Sequence, residues 1–169
     1  MMIHIYHGSG KGKTTAAIGL AISMAGHHKK CLIAQFLKDG TSGEIMFLKN
    51  QSHIDVRYHY PFKKFYYQMD ETEKAECIKA QQQLWQEAIS STEYDCIILD
   101  EILDAIGLDM ISLEDVLDFL KLNHNTKEIV LTGRNPDAKL KELCDYETEM
   151  MARKHPYDQN ILARKGVEY

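Results

Sequence analysis

The run Gly8-Ser9-Gly10-Lys11-Gly12-Lys13-Thr14-Thr15 stands between a short apolar strand pattern, Met2 to Tyr6, and a helix-like stretch from Ala16 to Ala25. A strand, a glycine-rich turn and a helix in that order constrain the chain to an α/β fold organised around a phosphate-binding loop. Glycines let the backbone curl so that successive N–H groups face phosphate oxygens, and the following helix adds the positive end of its dipole. On this reading Gly8 to Thr15 bind nucleotide phosphates, with Lys13 as a point charge and Thr14 as a magnesium-facing hydroxyl. The usual Gly-x-x-x-x-Gly-Lys-Thr spacing puts its first glycine at position 7, which here is His7. The loop is therefore a variant in which Gly8 and Gly10 share the turn.

A chain of 169 residues suits one domain, 1–169, which buries roughly 70% of its unfolded surface and needs no staples. Twenty-five acidic residues against twenty basic ones give a formal charge of −5, which argues against a duplex nucleic acid or an anionic membrane as partner. Phosphate binding must then be local. Cys31, Cys77, Cys96 and Cys144 lie far apart with no Cys-x-x-Cys pair, and three of them sit in apolar periodic segments, as reduced core thiols do. No basic leader precedes the first strand and no apolar run approaches the ~18 residues of a membrane span, so a cytoplasmic protein is expected.

Apolar runs recur at Ile3 to Tyr6, Cys31 to Phe36, Ile54 to Tyr58, Cys96 to Leu99 and Ile129 to Leu131, with helical periodicity in most of the gaps. That alternation predicts a mostly parallel central sheet flanked by helices. Asp70 with Glu73 predicts a capping box for the longest helix, whose core face is expected at Ala75, Ile78, Gln82, Trp85 and Ile89. A second helix starts at Ser112 with Leu113, Val116, Leu117 and Leu120 inward. A third is expected with Asn135 as cap and Pro136 in the first helical position. The tail from Tyr146 to Tyr169 is expected to add one or two edge strands.

Asp95-Cys96-Ile97-Ile98-Leu99-Asp100-Glu101 is an apolar strand ending in two carboxylates, a pattern that holds magnesium or its waters opposite the loop lysine. Gln35-Phe36-Leu37-Lys38, then Gly43-Glu44, end the second strand, and Thr132-Gly133-Arg134 ends the fifth. Loops at the carboxyl ends of parallel strands are where ligands bind. Arg134 fits a phosphate or carboxylate partner and equally a solvated loop. Between Tyr58 and Tyr67 stand six of the fifteen aromatic residues, including Tyr60, Phe62, Phe65 and Tyr66. They form either a strand end folded over the core or an aromatic wall for a large flat ligand. No paired histidines stand at helical zinc spacing, and His27-His28 matches the carbonyl end of the first helix.

These segments, together with Lys154-His155-Pro156-Tyr157-Asp158 and Ala163-Arg164-Lys165-Gly166-Val167-Glu168-Tyr169, fall in the order of one family. The chain resembles the P-loop type of ATP:corrinoid adenosyltransferase over nearly its whole length. The resemblance implies a RecA-like P-loop NTPase fold and transfer of the 5′-deoxyadenosyl group from ATP to the cobalt(I) of a reduced corrinoid, cobalamin or a precursor, with release of triphosphate. ATP is then cosubstrate, Mg²⁺ or Mn²⁺ the metal, and a reduced flavin or flavoprotein the electron donor. Lys13, Thr14 and Glu101 become the catalytic residues, with Thr14, Glu101 and Asp100 toward the metal. Phe65 and Tyr67 match the family's Phe-x-Trp positions, Tyr67 replacing the tryptophan, and with Phe62 they are the implied corrinoid contacts. Members use such bulky side chains to displace the lower axial ligand of cobalt.

Other departures accompany these. Asn160 stands where the family often has glycine. Many relatives carry an N-terminal helix over the corrinoid, whereas this sequence starts at the first strand, leaving that site open or covered by the partner of a homodimer. The rival readings are a small-molecule kinase or NTPase, which needs arginines over the phosphates that the four arginines here do not obviously supply, and a nucleotide-gated binding module.

Overall fold

The computed structural model describes residues 1–159 and 161–167, apart from the side chains of Tyr157 and Asp158. Asn160, Glu168 and Tyr169, which carry part of the tail resemblance, lie outside the described residues.

Each central strand is apolar on both faces, so each must be covered from both sides. The strands are β1 (Ile3–His7), β2 (Cys31–Gln35), β3 (Ile54–Tyr58), β4 (Cys96–Asp100), β5 (Glu128–Thr132) and β6 (Tyr146–Glu149). They form one sheet in the order β3-β2-β4-β5-β1-β6, with every pairing parallel. This is the helix-flanked parallel sheet expected of a RecA-like P-loop fold. Alternation along the strands divides the core. Ile5, Leu32, Ala34, Ile97, Leu99 and Leu131 share one cluster with Leu84, Trp85, Val116 and Leu120, while Ile33, Ile98 and Val130 share the other with Ala17, Ile18 and Ala21.

The helices are α1 (Lys13–Gly26), α2 (Gly43–Leu48), α3 (Glu71–Ile89), α4 (Ile102–Gly107), α5 (Leu113–Asn123) and α6 (Ala138–Leu143). Asp70 and Glu73 form the capping box, each side chain accepting the other's backbone N–H at 2.9 Å. The Ser112 hydroxyl caps α5 through Asp115 N–H. Trp85 is core, packed edge-on to Phe119.

Two expectations are corrected. The buried face of α3 is Cys77, Gln81, Leu84, Trp85 and Ala88, with Ala75 and Gln82 exposed. Trp85, Ile78 and Ile89 pack on the core as expected; the expectation fails at Ala75 and Gln82, because the polar residue at the centre of the face is Gln81. Helix α6 is capped by Asp137, whose carboxylate accepts the Lys139 N–H at 2.8 Å, rather than by Asn135. His27 and His28 stand at the carbonyl end of α1, Met24 and Ala25 accepting their backbone N–H groups. The tail supplies one edge strand, β6, whose exposed Tyr-Glu-Thr-Glu sequence discourages further pairing on its charged edge. All four cysteines are free thiols, and no helix among the described residues is long and apolar enough to cross a membrane.

Candidate active site

The loop between β1 and α1 is shaped by its glycines and by the chain that passes over it. Gly12 has φ 114°, a conformation that side chains rarely adopt, and ends the loop as the residue before α1. A Cβ on Gly10 would stand 2.7 Å from the Met150 carbonyl oxygen, so the tail after β6 can approach only glycine there. Two loop amides are used structurally: Gly8 N–H donates to Arg134 O and Gly10 N–H to Met150 O. Helix α1 starts at Lys13 without a side-chain cap, so the first-turn amides of Lys13, Thr14 and Thr15 have no intrahelical acceptor and suit phosphate oxygens. Lys13 Nζ bonds the loop's own carbonyls, Gly8 O and Gly10 O, each at 2.9 Å. His7, where the usual loop has its first glycine, is buried and bonds Glu147 of β6 at 2.9 Å. The variant loop is thus braced on the neighbouring strand.

Strand order brings the carboxylates to this loop. Asp100, at the end of β4, is fully buried and accepts four hydrogen bonds: from Thr14 Oγ1 at 2.9 Å, Thr132 Oγ1 at 2.7 Å, Gln35 Nε2 at 3.0 Å and Lys38 Nζ at 2.7 Å. Glu101 follows in a left-handed conformation, φ 63°, its N–H donated to Thr132 Oγ1. Burial pushes the Glu101 carboxyl up to about 7; Lys38 opposes the rise, and Asp104 and Asp100 add to it. Lys38 Nζ also donates to Thr14 Oγ1 at 2.9 Å and lies 3.6 Å from Glu101 Oε1. Burial alone would lower its pKa, but Asp100 and Glu101 raise it on balance, so the group is a firm ammonium.

A divalent cation fits this place. One hydroxyl and two carboxylates are hard oxygen donors of the kind magnesium takes beside phosphates, and a positive charge already sits among them. Gln35 Oε1, buried next to Asp100, has no hydrogen-bond partner among the described residues and can accept from a metal-bound water. The described residues contain no group of three or more acidic, histidine or cysteine side chains able to hold a metal by themselves, so water and phosphate oxygens would complete the shell.

Opposite the loop lies the aromatic segment. A cleft of about 960 Å³ is lined on one side by Ser9 to Thr15 and Glu101 and on the other by Tyr60 and Phe62 to Phe65. Phe65 and Tyr67 stack with centroids 5.5 Å apart and planes at 7°, and both are largely exposed, at 67% and 77%. Phe65 and Phe62 line the cleft, whereas Tyr67 reaches it only through Phe65. Both sequence alternatives hold in part: Tyr60, Phe62 and Tyr66 pack on the core, and Phe65 and Tyr67 face outward. Arg134 is exposed and meets the site through its backbone carbonyl. The tail returns across the loop, Lys11 Nζ donating to Val167 O at 2.7 Å, and His155 joins the lining.

The sequence had marked Lys13, Thr14, Asp100 and Glu101, and the fold gathers Thr14 with both carboxylates. Gln35, Lys38 and Thr132 carry only a ligand-side position in the sequence, with no individual role. Their signal was position at the ends of strands, which becomes specific only when β2 and β5 are known to flank β4.

Residues 1–169 match the family described as ATP:corrinoid adenosyltransferase BtuR/CobO/CobP. The chain belongs to this family. Adenosylation of a corrinoid with ATP is accordingly the reaction of its members, and the chain is an enzyme of that class. Among curated relatives, the corrinoid adenosyltransferase of Escherichia coli (strain K12) is 31% identical over 99% of this chain and 85% of its own length. That of a Sinorhizobium species is 32% identical over 99% of this chain and 80% of its own length. The corrinoid adenosyltransferase CobA of Salmonella typhimurium is 29% identical over the same 99% and 85% of its own length.

Proposed function

We propose that residues 1–169 act as one domain that transfers the 5′-deoxyadenosyl group of ATP to the cobalt(I) of a reduced corrinoid. One observation carries the residue-level reading: a single cleft joins the phosphate loop to an outward-facing aromatic pair. The cobalt(I) electron pair attacks the ribose 5′ carbon, a Co–C bond forms, and the C–O bond breaks with its electrons passing to the triphosphate. Cobalt(I) carries no proton, so the step needs no general base. What the protein must do is align the 5′ carbon and stabilise the leaving group.

Lys13 supplies a positive charge to the triphosphate once it leaves the carbonyls of Gly8 and Gly10. The first-turn amides of α1 bind the remaining phosphate oxygens. Thr14, Asp100 and Glu101 hold Mg²⁺ or Mn²⁺, which when bound neutralises the charge developing on the triphosphate. Thr132 Oγ1 fixes the Asp100 carboxylate and the Glu101 backbone at once. Phe62, Phe65 and Tyr67 supply a low-polarity face for the corrinoid, where water is disfavoured as an axial ligand. A kinase reading lacks its lid, since no arginine lines the cleft among the described residues and Arg57 is committed to Glu87 O, Ser91 and Tyr94. The reading extends to a cytoplasmic homodimer fed electrons by a reduced flavin or flavoprotein.

The test is anaerobic: ATP, magnesium and chemically reduced cob(I)alamin are followed by absorbance, and the phosphate products are separated by chromatography. A light-sensitive alkyl-cobalt product with one equivalent of triphosphate is expected. ADP as the product, or unchanged cob(I)alamin with ATP-binding protein, overturns the proposal.

A further inference from the structure

Lys38 stands at a point that the proposed chemistry gives to something else. Its ammonium is shared by Thr14 Oγ1, Asp100 Oδ2 and Glu101 Oε1, the same three side chains assigned above to a divalent cation. An ammonium and a divalent ion compete for these oxygens. The placement is also built rather than incidental. Leu37, the residue before, has φ 56°, a left-handed backbone that a leucine adopts only under constraint, and its N–H is fixed by the buried Gln81 side chain at 2.9 Å.

We propose that Lys38 is the resident cation of the nucleotide-free site. It holds Thr14, Asp100 and Glu101 in their cation-binding arrangement, and it excludes a free divalent ion until that ion arrives with the phosphates of the nucleotide. Without a cation two adjacent carboxylates, one fully buried, would face each other unscreened. With Lys38 present, a lone divalent ion gains the oxygens only by displacing an ammonium from its 2.7 Å bond to the fully buried Asp100 carboxylate. When a nucleotide enters, the same displacement costs little, because the lysine's flexible stem lies in the cleft wall and the phosphates receive its charge. Metal entry thereby becomes coupled to nucleotide entry. This inference rests on the reading of Thr14, Asp100 and Glu101 as the metal side of the site.

Equilibrium dialysis against Mn²⁺, with and without ATP, tests it on the full chain. Without nucleotide, wild type is expected to retain little Mn²⁺, whereas Lys38→Met binds it more than about tenfold tighter because a unit charge has left a partly buried site. Lys38→Gln carries the same expectation and keeps a donor for Asp100 should the methionine variant fold poorly. The wild type supplies a readout that needs no variant: Mn²⁺ alone leaves its melting temperature unchanged, and Mn²⁺ with ATP raises it. Folded variants that bind Mn²⁺ no better than wild type, while all bind it with ATP, overturn the role of Lys38 alone. So does a wild type that Mn²⁺ alone stabilises. No Mn²⁺ retention by any form, even with ATP, overturns the metal reading and this inference together.

Discussion

Gln81 is the residue whose loss reports most directly on how the cleft is held open. It is fully buried in α3, accepts the Leu37 N–H at 2.9 Å and donates to the His59 carbonyl. Leu37 leads into Lys38 on the nucleotide side, and His59 opens the aromatic segment on the other. One amide thus ties both rims of the cleft to one helix. Gln81→Leu keeps the volume nearly constant and removes both bonds. A stranded donor or acceptor costs about 1–3 kcal/mol, and both groups here are only partly buried, so the loss is about 2–4 kcal/mol in all. For a domain of this size that lowers the melting temperature by roughly 5–15 °C. Thermal unfolding by circular dichroism measures it, with Gln81→Ala as the cavity-forming comparison. Gln81→Glu adds a directional check, since it keeps the acceptor for Leu37 and loses the donor to His59, so its carboxylate form should be destabilised as well. A Gln81→Leu protein melting within a degree of wild type would refute the claim that these two bonds hold the rims.

Lys13→Ala should lower turnover by more than about a hundredfold, as loss of a preorganised charge on a leaving group does, while the melting temperature changes little, because Lys13 bonds only loop carbonyls. A large melting shift would mean that its role is structural. Tyr67→Ala should spare activity on chemically pre-reduced cobalt(I) and lower activity when the enzyme starts from cobalt(II); equal losses in the two assays would sink the aromatic role. The Glu101 carboxyl, held up to about 7 by burial, also gives a stability signature. Its folded pKa exceeds the unfolded value, so the metal-free protein gains from the neutral form at low pH and loses that gain as pH rises from about 4.5 toward 7. Denaturation midpoints in chelator at pH 5 and pH 8 should therefore fall further for wild type than for Glu101→Gln, and an identical fall in the two would contradict the assignment.

Local pattern was sufficient for much of this protein. Five strands, the glycine turn, the Asp70–Glu73 capping box and the Ser112 cap depend on neighbours within a few residues, and the order of short apolar runs and helices already required a parallel sheet. The glycine loop and the acidic end of β4 were equally legible as elements, because a glycine turn before a helix and an apolar strand closed by two carboxylates are both local patterns. Where a burial pattern contained a buried polar residue, as on α3, periodicity found the apolar members of the face but chose Gln82 over Gln81, since hydropathy cannot distinguish an exposed glutamine from one satisfied by two distant backbone groups.

What the tertiary structure alone decided is proximity across the sheet. The order β2-β4-β5 sets Gln35 directly beside Asp100 and brings Thr132 and Lys38 to the same carboxylate, from segments 32 to 65 residues distant in sequence. The pairing of β1 with β6 likewise lays Met150 against Gly10 and explains why the loop tolerates His7. Strand order follows from the packing of both sheet faces at once, a long-range balance that no local window contains. The glycine loop is therefore written in eight consecutive residues, whereas the hydrogen-bonded cluster around Asp100 exists only once β2, β4 and β5 lie side by side.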